Sequence, residues 1–144
     1  YILTTMNFEI GVTPLEIKNS KGEVLLKYQG NSLVNADLSG KDLKHVVLIG
    51  MDCTGANFEG ADLEYAHCRG TNFTQASFKN AYMLYGLFHG ATFVGANFEG
   101  ANIERAKFMG ANLRDAKNWH KKERDFQAKF LGAIMPDGRK VEEE

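Results

Sequence analysis

The sequence predicts an all-β solenoid, a chain wound into stacked four-sided coils with short extended sides. Three observations predict it. Every fifth residue from Leu33 to Leu113 is apolar, a small residue stands two positions before most of them, and glycines two positions after them recur at twenty-residue intervals.

The apolar series is Leu33, Leu38, Leu43, Leu48, Cys53, Phe58, Leu63, Cys68, Phe73, Phe78, Met83, Phe88, Phe93, Phe98, Ile103, Phe108 and Leu113. In a chain of 44% hydrophobic residues, a chosen register would do this by chance roughly once in a million. The small partners are mainly alanine, among them Ala36, Ala56, Ala76 and Ala96. On an α-helix five residues advance about 140°, so such positions would scatter around the axis. On one straight strand a five-residue step changes faces. Both conflicts vanish if the chain turns a corner once per repeat, with the small and large residues pointing inward. Gly50, Gly70, Gly90 and Gly110 form one corner column, whereas His45, Tyr65, Tyr85 and Arg105 form another. Each column recurs every twenty residues, so four pentapeptides make a coil. Glycine suits a corner with φ > 0. The column without glycine is expected to use a different turn that needs no positive φ.

Segments such as Ala56-Asn57-Phe58-Glu59-Gly60, Ala61-Asp62-Leu63-Glu64-Tyr65 and Ala96-Asn97-Phe98-Glu99-Gly100 resemble the A(D/N)LXX signature of pentapeptide-repeat proteins. The resemblance covers residues 31–115 without a gap. It implies a right-handed quadrilateral β-helix, here of about five coils. Asn31, Lys41, Val46 and Met51 depart from the small-residue pattern, so either the first coil is wider or another segment packs over it.

Solenoid ends expose apolar faces and unpaired backbone and need caps. Residues 1–30 are expected to form a tail and a β-hairpin cap, with Leu15 and Ile17 on one strand, Val24, Leu26 and Tyr28 on the other, and a turn at Asn19–Gly22. The β-helix then spans 31–118. Residues 119–127 read as a short helical excursion with Asn118 as candidate N-cap. Ala128–Ala133 repeats Ala106–Ala111 almost letter for letter at an offset of twenty-two, so two further sides are expected over 128–137. Pro136-Asp137-Gly138 would end the structure, with 138–144 as the C-terminal tail, disordered from Arg139.

No constellation for a reaction emerges. The glycines recur as corners and do not cluster before a helix as a phosphate loop would. His45, His67, His89 and His120 do not line up with second ligands, so no metal site is expected. Asp42, Asp62, Glu64 and Glu104 share a side with Lys44 and Arg105, as a solvated, ion-paired face would. Cys53 and Cys68 are inward, inert thiols that fit the reducing cytoplasm. The expectation is a chain that is not an enzyme and has no cofactor, membrane span, small-molecule substrate or nucleic-acid partner.

One surface stands out. Tyr65, Tyr82, Leu84 and Tyr85 point outward on the third side of the coil (41–45, 61–65, 81–85, 101–105). Val47, Ile49, Leu87 and Met109 do so on the fourth (46–50, 66–70, 86–90, 106–110). An apolar patch of this kind meets a protein partner or a second copy, unless the chain's own termini cover it. The expected function is therefore a scaffold for protein–protein interaction. The family resemblance supplies an alternative, since some members protect DNA gyrase by imitating the shape and charge of duplex DNA. Residues 31–118 hold nine carboxylates and eight cations, a balance that disfavours a phosphate-like field.

Overall fold

Backbone turns recur every five residues in the computed structural model, which describes residues 13–119 and 127–143. The Ala36 amide donates to the Leu33 carbonyl at 3.0 Å, and the same bond recurs through to Ala116 and Leu113 at 3.0 Å. Between turns, short extended pieces pair with the coils on either side. Leu38 N–H donates to the Asn57 carbonyl at 2.8 Å, and Asn57 N–H donates to the Ala36 carbonyl at 2.8 Å. Parallel bridges join positions twenty apart, from Asp37 with Asn57 to Asn97 with Lys117. Four turns per bridge interval make the coil four-sided, and each side is too short to count as a regular strand.

The corners correct one expectation. Every fifth residue from Asn35 to Asp115 has φ between 54° and 69°, including His45 (58°), Tyr65 (57°), Tyr85 (56°) and Arg105 (56°). With positive φ confined to the second central residue, all are type II-like turns. No separate turn serves the column without glycine. The cause is tertiary. Coils joined by bridges at one spacing must bend by the same angle at each corner, whichever residue stands there. An L-residue in this region costs about 1–2 kcal/mol.

All seventeen inward residues are buried, Phe98 being the most exposed of them at 4%. They stack as ladders about 4.8 Å apart. Phe58 lies over Phe78 with ring centroids 5.2 Å apart, Phe73 over Phe93 at 5.1 Å and Phe88 over Phe108 at 5.1 Å. Rings of neighbouring ladders meet edge to face, as Phe73 and Phe78 do at 5.1 Å. Such pairs add about 0.5–1.5 kcal/mol beyond area burial.

The first coil is overlaid. Strand β1 (Leu15–Lys18) pairs antiparallel with β2 (Val24–Tyr28) around a turn in which Gly22 has φ 82°. Ile17 is 1% exposed within the core, and Val47 N–H donates to the Lys18 carbonyl at 2.9 Å. Val46, large where alanine belongs, is fully buried. The hairpin packing over this coil, and not a wider coil, is the arrangement found.

At the other end, the expected helical excursion over 119–127 falls mainly on residues outside those described. Asn118 is not an extended N-cap: its φ is 54°, and its Nδ2 donates to Asn97 Oδ1 at 2.8 Å. Trp119 sets its ring edge-on against Phe98, Phe108 and Phe130 at 5.0, 5.9 and 5.6 Å. Winding continues at the shifted register, with Lys129 bridged to Lys107 and Ile134 to Asn112. The tail expected to be disordered is instead paired as far as Val141. Gly138 (φ 84°) reverses the chain, Ile134 and Lys140 form an antiparallel bridge, and Gly132 N–H donates to the Val141 carbonyl at 2.7 Å. Folding back in this way gives the last side, an otherwise unpaired edge, a partner.

Candidate interaction surface

On three of the four sides the second residue of most pentapeptides has a local duty. Asp42, Asp52, Asn57, Asp62, Asn72, Asn97, Asn102 and Asn112 each accept, through Oδ1, the amide two residues on, at 2.9–3.2 Å. These Asx turns satisfy an amide that the turn aims outward, away from the neighbouring coils. Sequence reasoning recorded the Asp/Asn preference without this role. The signal was the constant two-residue spacing to a backbone donor.

On the third side Asp42 and Asp62 are occupied by such bonds, and Asp62 also by an ion pair, Lys44 Nζ to Asp62 Oδ2 at 3.5 Å. Asp62 and then Glu64 hold the Lys44 ammonium above its ordinary pKa. Thr54 Oγ1 donates to Asp52 Oδ1 at 2.6 Å and keeps that carboxyl below the usual range. Burial pushes the Cys53 thiol up to about 12, with Asp52 adding to it, and burial likewise raises Cys68. Both are neutral at physiological pH and therefore poor nucleophiles. Among the described residues no cluster of His, Cys, Asp and Glu could hold a metal ion, and no helix is long and apolar enough to cross a membrane.

Along the corner between the third and fourth sides runs a column of rings. His45 stacks on Tyr65 at 5.0 Å, Tyr65 on Tyr85 at 4.9 Å, and Arg105 lies 5.5 Å from the Tyr85 centroid while its Nη1 donates to Tyr85 Oη at 2.7 Å. Of the residues expected to form the surface, Ile49 (54%), Tyr82 (52%) and Tyr65 (42%) are the most exposed. Val47, Leu84, Tyr85, Leu87 and Met109 are half-buried between neighbouring rungs. The hairpin reaches this region only at its first rung, where Ser20 N–H donates to the His45 carbonyl at 2.9 Å. His67 sits in the fourth-side column between Val47 and Leu87, bridged to both.

Residues 32–64, 52–83 and 87–117 match the pentapeptide-repeat family, in eight copies. The chain is a pentapeptide-repeat protein. Members of the family form right-handed β-helices, so the coil takes that hand. Among solved structures, this pentapeptide-repeat protein is similar to QnrB1, a plasmid-mediated fluoroquinolone resistance protein, at 27% identity with a TM-score of 0.45, over 69% of this chain and 55% of that one. It thus spans little more than half of QnrB1. It is also similar to a pentapeptide-repeat protein of the Arabidopsis thaliana thylakoid lumen, at 24% identity and TM-score 0.41, over 79% of this chain and 71% of that one. A third is a pentapeptide-repeat protein from Nostoc, at 23% identity and TM-score 0.42, over 67% of this chain and 82% of that one. No curated protein matches the chain in sequence.

Proposed function

We propose that this pentapeptide-repeat protein is a non-enzymatic scaffold. It engages a protein partner or a second copy through the stripe formed by Val47, Ile49, Tyr65, Tyr82, Leu84, Tyr85, Leu87 and Met109. The observation that carries this reading is the exposure of Tyr82 (52%) and Ile49 (54%) on short, hydrogen-bonded sides. Anchors already held in place lose little conformational entropy on binding. The geometry of the His45, Tyr65, Tyr85 and Arg105 column supports it further, since these residues occupy a backbone conformation that glycine would take at lower cost. On this reading the coils, about five with the hairpin as cap, serve to hold the stripe rigid. Imitation of duplex DNA is disfavoured by charge, because an acidic surface is its physical requirement and the chain's net charge is only −1.

The test is the double substitution Leu84→Glu/Tyr85→Lys, which leaves the inward Met83 untouched. Sedimentation of both proteins and a pull-down with each should show association with the parent and its loss in the variant. A folded variant that associates as strongly as the parent would remove the stripe from consideration.

A further inference from the structure

The fourth side differs from the other three in what its outward backbone amides find. On those sides an Asp, Asn or Ser side chain accepts the amide two residues on at nearly every rung, for example Asn57 from Glu59 at 2.9 Å and Asn102 from Glu104 at 3.0 Å. On the fourth side the same positions hold Val47, His67, Leu87 and Lys107, and none of them takes that bond. The amides of Ile49, Arg69, His89 and Met109 have no acceptor among the described residues, making a continuous column of outward donors. At the equivalent position of the other pentapeptides only Leu84 and Val94 share this state among the described residues, each alone in its column.

Charge is segregated in the same place. Residues 46–50, 66–70, 86–90 and 106–110 contain no carboxylate, although the whole chain is net −1. Arg69 and Lys107 are exposed and make no ion pair among the described residues. His89 reports the resulting field. Burial and then the charges of Arg69 and Lys107 hold its pKa below the ordinary value, and its buried Nδ1 has no partner among the described residues.

We infer that the fourth side is a docking face for a protein segment that presents Asp or Glu and apolar residues together on one face. The segment's carboxylates would meet the outward amides and the charges of Arg69 and Lys107, while its apolar side chains lie on Ile49, Leu87 and Met109. The donors repeat about every 4.8 Å along the coil axis. A partner carboxylate would do on this side what an Asx side chain does on the others. The inference rests on the interaction-scaffold reading but not on the third-side residues of the stripe.

A nucleic acid fits the same face less well. Strong phosphate binding draws on many cations, whereas two lie here among aliphatic side chains. The adjacent tyrosines offer bases little, because the faces of Tyr65 are covered by His45 and Tyr85.

A fluorescent synthetic peptide of repeating Glu-Glu-Leu-Leu, which when extended sets both kinds of side chain on each face, tests the proposal by anisotropy, beside its Lys-Lys-Leu-Leu counterpart and a single-stranded oligonucleotide. The Glu–Leu peptide should bind tightest, and Arg69→Glu/Lys107→Glu should weaken it by about tenfold or more. If that variant melts below the assay temperature, Arg69→Gln/Lys107→Gln replaces it. Val47→Asn/Leu87→Asn supplies the missing Asx acceptors, so it should weaken peptide binding while leaving the melting temperature equal or higher. The proposal is overturned if the Lys–Leu peptide binds equally well, if charge reversal or the Asn pair leaves binding unchanged, or if the oligonucleotide binds more tightly. Any of these results alongside association that still depends on Leu84 and Tyr85 leaves the scaffold reading standing. Association that does not depend on Leu84 and Tyr85, with peptide binding intact, would remove the third-side residues from that reading and leave the fourth side standing.

Discussion

Two columns of this coil share one backbone and opposite chemistry. Gly50, Gly70, Gly90 and Gly110 turn the chain at φ 64–69°, and His45, Tyr65, Tyr85 and Arg105 turn it at 56–58°. Glycine makes the corner without steric cost and contributes nothing else. The side-chain column accepts the left-handed conformation and gains ring stacking at 5.0 and 4.9 Å and the Arg105–Tyr85 contact. The inner Phe58–Phe78 pair stacks at a similar 5.2 Å but is fully buried. The same ring geometry therefore serves stability inside, where water is excluded, and offsets backbone strain outside. A corner residue of this fold is chosen by what its side chain does, since the backbone asks the same of all.

The largest effect expected is inside. Phe78→Ala removes a ring that touches Phe58, Phe73, Phe93 and Phe98. It should cost about 3–5 kcal/mol by denaturant unfolding. An unchanged midpoint would mean that the inner ladder is not what holds the coils together.

At the glycine corners the effect should be smaller and purely conformational. A methyl group at Gly70 meets nothing within 4 Å, yet φ there is +65°. Gly70→Ala should therefore destabilise by about 1–2 kcal/mol. Gly86 offers the opposite case: its φ is not positive, but a methyl group would run into the Phe88 ring. Gly86→Ala should thus shift the Phe88 ring resonances, whereas Gly70→Ala leaves the core spectrum alone.

In the side-chain column the two terms oppose each other. Tyr85→Gly relieves strain while removing stacking on Tyr65 and the bond from Arg105, so the net change should stay within about 1 kcal/mol. A loss as large as that of Phe78→Ala would place Tyr85 functionally in the core.

The smallest effect is electrostatic. Asp52 is held below its ordinary pKa by the Thr54 hydroxyl first and the Thr54 amide second. A depressed carboxyl contributes stability above its unfolded pKa, and that contribution fades as pH falls through the folded value. Thr54→Ala removes the larger cause, so the Asp52 pKa read by NMR titration should move up toward the usual range.

The repeat itself was legible residue by residue. Each inward position must be apolar and its partner small in a narrow interior, so seventeen centres and their alanines announced the coil before any geometry was known. The hairpin was legible for the same reason, as Leu15 and Ile17 alternate with charge around Asn19–Gly22. What the sequence could not declare were relations between residues about twenty apart. Tyr65 carries no mark of a left-handed corner, because stacked coils impose that φ against its own preference. Arg139–Val141 looked like a polar tail, and became a paired segment only because an unpaired edge waited beside it at residues 132–134. The third-side tyrosines could be listed as outward-facing, but their stacking into one column needed the coil spacing. The column of unpaired amides on the fourth side likewise depends on four separate rungs standing in line. Composition and period determine which residues point inward; only the stacked tertiary structure decides what the outward ones stand next to.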